Sequence, residues 1–189
     1  IGTVSSTKRF LKSYKRILSK ETNQQRIAFV DRDGTLIREP KDTYQIDRVD
    51  QVALLDGCIA GLQKLRDKGY SLVLVSNQDG LGTSQYSWQD FMSVQNVFLM
   101  RLARQEIFFD RVYVCPHLER DDCTCRKPRT GLVTSFLKNR KINRKDSFMI
   151  GDRQSDAQFA DNLSLQVVKI PTNSNFLYGV NQALGGEKS

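Results

Sequence analysis

The chain has 189 residues, 39% of them hydrophobic, enough for one ordinary domain that buries roughly 70% of its unfolded surface. No stretch approaches the roughly 20 apolar residues of a membrane span, and no secretory apolar core precedes a small-residue cleavage site, so a soluble, cytoplasmic protein is expected. The formal net charge of +8 suggests a nucleic-acid binder until it is mapped: residues 1–26 carry +6 of it, leaving a nearly balanced body.

Those basic residues belong to an extension, residues 1–25, ahead of a domain spanning 26–189. Over Ser6 to Lys20, the positions of Phe10, Leu11, Tyr14, Ile17 and Leu18 predict an amphipathic helix with a basic face. Its apolar stripe suits packing on the domain or on a second subunit; membrane-surface, targeting and nucleic-acid roles are the alternatives. From Arg26 onward, apolar runs alternate with helical patterns. Strands are predicted at Arg26 to Val30, Tyr70 to Ser76, Arg111 to Cys115, Ser147 to Ile150 and Gln166 to Ile170, and helices at Cys58 to Lys68, Trp88 to Gln105, Gly131 to Asn139 and Ser155 to Asn162. This alternation predicts a doubly wound α/β domain with a parallel sheet and a site at the carboxyl ends of its strands.

The first strand ends in Asp31-Arg32-Asp33-Gly34-Thr35. Carboxylates at i and i+2 of an extended chain share a face, so one can attack phosphorus while the other moves a proton. Gly34 permits a tight bend, and the Thr35 hydroxyl can hold the turn. The second strand runs into Ser76-Asn77-Gln78, giving a hydroxyl and an amide that can hydrogen-bond phosphate oxygens. Arg126-Lys127-Pro128 places cations ahead of a helix, and Lys127 is the better candidate to offset phosphoryl charge. Gly151-Asp152-Arg153, with Asp156 beyond it, adds the hard oxygen ligands that Mg²⁺ requires. Each stretch alone also suits a turn, a solvated loop or a helix cap; four in one order, each at a strand end or helix start, argue for a phosphoryl-transfer site.

A second cluster, Cys115-Pro116-His117 with Cys123-Thr124-Cys125, supplies four borderline-soft ligands and suggests a structural Zn²⁺. A Cys123 to Cys125 disulfide and plain reduced thiols are the alternatives, and Cys58 reads as core. This loop runs straight into Lys127. Only 42 residues separate Asp33 from Ser76 and 50 separate Ser76 from Lys127, which leaves no room for a large cap domain. Substrate selection then falls to loops, and an open pocket of this kind suits a small soluble phosphoester.

The ordered set resembles the haloacid dehalogenase superfamily of phosphotransferases over roughly Ile27 to Ile170. The resemblance implies Asp31 as the nucleophile that becomes an aspartyl-phosphate, Asp33 as general acid and base, and Ser76 and Lys127 as phosphate-binding groups. It also implies Mg²⁺ held by Asp31, the Asp33 carbonyl and Asp152, with Asp156 in support. Within that superfamily, Asp31 to Leu36, Asn77 to Thr83 and the compact Cys115 to Pro128 segment are similar to histidinol-phosphate phosphatases, the phosphatase half of a bifunctional histidine-biosynthesis protein. Glu39 is then expected to pair with the substrate ammonium and Gln45 to hydrogen-bond its polar end, with Asn77 and Arg126 completing the substrate contacts. Heptose bisphosphate phosphatases are the nearest rival family. A polynucleotide 3'-phosphatase or nucleic-acid-binding module is a further alternative, against which the body shows no basic stripe with interleaved aromatics.

Overall fold

The computed structural model describes residues 24–185; residues 1–23 of the extension, and with them its expected helix, lie outside the described residues. Five short, apolar segments form one parallel sheet: β1 (Ile27–Val30), β2 (Ser71–Asn77), β3 (Arg111–Cys115), β4 (Phe148–Gly151) and β5 (Gln166–Lys169), in the order β3-β2-β1-β4-β5. The three central strands, β1, β2 and β4, are buried along nearly their whole length, as a sheet covered on both faces demands. Each predicted strand is present. β2 runs one residue further than expected, so that Asn77 pairs with Cys115 at the carboxyl edge.

Side-chain alternation divides the core into two layers. Ala28, Val30, Leu72, Leu74, Phe148 and Ile150 face one side, where they meet α1 (Cys58–Asp67) through Leu62 and Leu65, and α2 (Trp88–Ala103) through Val94, Phe98 and Leu102. Ile27, Phe29, Val73, Val75 and Met149 face the other, against Val133 and Phe136 of α3 (Gly131–Lys138) and Phe159 and Ala160 of α4 (Gln154–Asn162). Phe29 and Phe159 meet edge to face at 5.8 Å. With α1 and α2 on one side and α3 and α4 on the other, the chain changes direction between β1 and β4. That is the switch point at which open α/β sheets place their ligands.

A helix that the sequence patterns did not reveal, α5 (Phe176–Ala183), joins α1 and α2 on the first layer. Asn175 caps it by accepting a hydrogen bond from the Tyr178 N–H. Its interior Gly179 lowers helix propensity and conceals the pattern. Packing explains the glycine: a Cβ there would lie 2.5 Å from Ile170 Cγ2 and 2.7 Å from Ile150 Cδ1.

Among the described residues no second domain interrupts the sheet, and no helix is long and apolar enough to cross a membrane. The segment between β1 and α1 instead joins the first core layer, burying Leu36, Ile37, Ile46 and Val52 and pairing Ile37 with Leu54. Gly179→Val is expected to destabilise the domain by about 1–3 kcal/mol through overpacking against β4 and β5, read as a lower midpoint in urea with an unchanged slope.

Candidate active site

β1 stops at Val30, and the next residue stays tied to the sheet, its N–H donating to the Ile150 carbonyl at 3.1 Å. Asp31 is thereby held between β1 and β4. Gly34, at φ 73°, turns the chain back. A Cβ on it would meet Asp152 Oδ2 at 2.6 Å and Thr172 Cγ2 at 2.9 Å, so both the left-handed backbone and the close approach require glycine.

Asp152 follows β4, and Asp156 occupies the first turn of α4. Asp31, Asp152 and Asp156 are all buried and bring carboxylate oxygens within 4.8 Å of one another. Lys127 reaches into this group. Its Nζ donates to Asp31 Oδ1 at 2.6 Å and to the Val75 carbonyl at 2.7 Å, and it forms an ion pair with Asp156 Oδ1 at 2.6 Å. Asp156 Oδ2 also accepts from the Arg153 N–H at 2.9 Å, so both its oxygens are engaged and it acts as a support. The Asp152 oxygens accept from Thr172 Oγ1 at 2.7 Å and, more weakly, from Thr35 Oγ1 at 3.4 Å. The Thr35 hydroxyl therefore serves Asp152 rather than the turn.

Burial dominates the electrostatics. It pushes the Asp31 carboxyl up to about 8, against the pull of Lys127 and with further upward pressure from Asp156 and Asp152. Asp152 is also raised, chiefly by burial. Burial opposes the charge on Lys127, but Asp156 and Asp31 outweigh it and hold the ammonium protonated. Three buried carboxyl groups around one lysine form an oxygen donor set that fits a hard divalent cation, whose charge would favour their ionised forms.

Asp33, the expected proton carrier, occupies a different environment. Its two oxygens accept from Arg32 Nε at 2.7 Å and Arg32 Nη2 at 3.0 Å, and Oδ2 also accepts from Gln78 Nε2 at 2.7 Å. Arg32 has no exposed surface. Burial alone would favour the neutral guanidine, but the Asp33 carboxylate outweighs it and raises Arg32 further.

The other expected contacts are distributed unevenly. Ser76 is buried on the cavity wall, and its Oγ accepts from Gln78 Nε2 at 2.8 Å, leaving its hydroxyl proton available. Asn77 was expected to contact phosphate, but both ends of its amide bind the backbone of Lys127, accepting from its N–H at 3.0 Å and donating to its carbonyl at 3.1 Å. Arg126 reaches the cavity and pairs with Asp79. Glu39 lines the cavity too, yet it is buried and paired with Arg153, which also lies over the Tyr44 ring. Its main chain is clamped in both directions by the Asn173 side chain. Gln45 lines the cavity with a buried Nε2 that has no hydrogen-bond partner. The cavity holds about 380 Å³, a size suited to a small ligand.

Cys115, His117, Cys123 and Cys125 converge as their spacing predicted. Cys125 Sγ lies 3.1 Å from both Cys115 Sγ and His117 Nδ1 and 3.3 Å from Cys123 Sγ, with no disulfide among them. Burial raises the Cys115 thiol. Cys123 is lowered to about 7: its slight burial works against this, but hydrogen bonds from Cys125 and the Arg126 N–H prevail. Four soft donors at this range fit a tetrahedral ion such as Zn²⁺.

Sequence reasoning missed Arg32, Gln78, Tyr86, Gln95, Arg153 and Thr172. For Arg32 a signal was present. It continues the parity of Ala28 and Val30, whose side chains enter the first core layer.

Comparison with known proteins agrees with this geometry. The chain is 44% identical over 149 residues to a histidine biosynthesis bifunctional protein HisB from Baumannia cicadellinicola, covering 79% of this chain and 42% of that one. It is 42% identical over 145 residues to the HisB protein of Legionella pneumophila strain Lens, covering 77% and 41% respectively. The chain thus spans about two fifths of the length of these curated relatives. A D,D-heptose 1,7-bisphosphate phosphatase from B. bronchiseptica, solved with magnesium and phosphate, superposes with a TM-score of 0.70 at 22% identity, covering 84% of this chain and 87% of that one. A putative haloacid dehalogenase-like phosphatase from Mesorhizobium loti gives 0.72 at 20% identity, covering 86% and 85%. These likenesses establish the haloacid dehalogenase-like fold. The sequence pattern described as Polynucleotide kinase 3 phosphatase matches residues 26–173, and the chain belongs to that family.

Proposed function

We propose that this domain is a Mg²⁺-dependent phosphatase that hydrolyses L-histidinol phosphate to L-histidinol and phosphate, a step of histidine biosynthesis. The observation that carries the reading is the buried group of Asp31, Asp152, Asp156 and Lys127 at the switch point of the sheet. Identity to HisB proteins over most of the chain supports the substrate, and the magnesium and phosphate in the heptose bisphosphate phosphatase structure support the metal.

Asp31, with Asp152 and the Asp33 carbonyl, would hold the metal, which shields the nucleophilic carboxylate from the anionic substrate when bound. Lys127 and the free hydroxyl proton of Ser76 face the same cavity and stabilise phosphoryl oxygens. Asp31 attacks phosphorus, the bond to the alcohol breaks, and the departing oxygen takes a proton from Asp33. Asp33 then removes a proton from the water that cleaves the aspartyl-phosphate and regenerates Asp31. Most of the rate enhancement is positional and electrostatic, because little covalent chemistry falls to other groups.

The far side of the cavity suits the rest of the substrate. Glu39 can share its carboxylate between Arg153 and an ammonium, and the unpartnered Gln45 Nε2 can donate to an imidazole nitrogen. A second reading, removal of a 3'-phosphate from a polynucleotide, is suggested by the name of the family. Against it, the arginines that line the cavity are both matched by carboxylates, Arg126 by Asp79 and Arg153 by Glu39, so neither offers free charge to a nucleic-acid backbone.

Phosphate release from histidinol phosphate, heptose bisphosphate and a 3'-phosphorylated oligonucleotide, each with Mg²⁺, is expected to give the highest kcat/KM for histidinol phosphate and none with Asp31→Asn. Preference for another substrate would retain the mechanism and overturn the pathway. Glu39→Gln should raise KM for histidinol phosphate by about tenfold, the loss of one charged hydrogen bond; unchanged kinetic constants would remove Glu39 from substrate recognition. Elemental analysis should find one Zn²⁺ per chain, and Cys123→Ser should lower both zinc content and Tm. Hydrogen exchange should locate the loosening in residues 115–127, and full retention of Tm would make the cluster dispensable.

A further inference from the structure

The buried charge on Arg32 has no part in the scheme above. The flat guanidinium lies over the Phe91 ring, 5.4 Å from its centroid, and its nitrogens reach outward to four acceptors. Nε and Nη2 grip the two oxygens of Asp33 side by side. Nη2 also donates to Gln78 Oε1 at 2.8 Å, and Nη1 donates to Gln95 Oε1 at 2.8 Å. The Tyr86 hydroxyl donates to the same Gln78 oxygen at 2.8 Å, which fixes the amide with its oxygen toward the cation and its nitrogen toward Asp33. The Asp33 carboxylate, with 14% of its side chain exposed toward the cavity, is thus gripped by two donor groups that helix α2 and the loop after β2 hold in place.

Stability alone does not account for this arrangement. Position 32 continues the inward parity of Ala28 and Val30, where an aliphatic side chain would pack without the cost of burying a guanidinium. The charge is spent on the carboxylate assigned the proton transfer. We propose that Arg32, backed by Gln78 and Gln95, is a positioning residue that fixes the rotamer of Asp33 so that its proton meets the departing alcohol oxygen. Lysine cannot replace arginine here, because a point charge cannot grip both oxygens in parallel.

The inference rests on the phosphatase reading, and leaving-group chemistry separates the two. An alkoxide needs a proton as it departs, whereas p-nitrophenolate does not, so defective positioning of Asp33 penalises alkyl esters selectively. Single-turnover release of the leaving group, with Mg²⁺, would be compared for histidinol phosphate and p-nitrophenyl phosphate. Arg32→Lys is expected to slow the alkyl ester on the order of 10- to 100-fold while leaving p-nitrophenol release within about threefold of the parent. Gln95→Leu removes only the support behind Arg32 and keeps the proposal testable if Arg32→Lys fails to fold; it should show the same selectivity at a smaller amplitude. Equal slowing of both esters, or no slowing of the alkyl ester, would overturn the positioning role while the phosphatase reading stands. Failure of the parent protein to cleave either ester would overturn both.

Discussion

The ammonium of Lys127 is the interaction on which the site depends. A buried charge of this kind costs several kcal/mol unless its partners are close, and here two carboxylates and the Val75 carbonyl all lie within 2.7 Å of it. Those partners come from three parts of the fold: Asp31 from just beyond β1, Val75 from β2, and Asp156 from the helix after β4. One side chain therefore reports whether the central strands are in register. The same contact keeps Asp31 facing the cavity, which links the integrity of the sheet to the chemistry at its edge.

The backbone beneath that ammonium is constrained from two directions. Asn77, on the last residue of β2, holds both polar groups of the Lys127 main chain, and the Cys–His loop ends two residues before it. Arg126 links the two regions, donating its N–H to Cys123 Sγ while its side chain pairs with Asp79. Asn77 binds the Lys127 main chain directly, and the Cys–His loop leads into it. Both act by limiting where the lysine can be.

The sequence revealed most of this wherever function coincides with periodicity. Apolar strands ending in Asp, Ser or Gly-Asp are visible because the strand pattern stops where the polar cluster begins, and the four-residue Cys–His cluster is visible because its spacing is local. The features it concealed depend on long-range pairing. The parity of Arg32 points it inward, but its partners Gln78 and Gln95 lie 46 and 63 positions away and emerge only from the fold. Asn77 reads as a phosphate ligand until Lys127 is seen to consume its amide. Glu39 reads as a free carboxylate until Arg153, at the cap of α4, is placed beside it. Helix α5 was hidden by Gly179, whose place is set by the crowding of Ile150 and Ile170 rather than by any preference of its own segment.

Thr172 and Asn173, in the loop between β5 and α5, give the domain an order of completion. Thr172 holds Asp152, while Asn173 clamps Glu39 and donates its own N–H to the Gly34 carbonyl. The first carboxylate of the site is thus made near the start of the domain and its last fastening more than a hundred residues later. During synthesis the nascent chain carries Asp31 and the Cys–His ligands long before it can fix the pocket that uses them. The centre closes only when the outermost strand of the sheet has been laid down, and a chain interrupted before that point holds the reactive groups without the geometry that makes them a site.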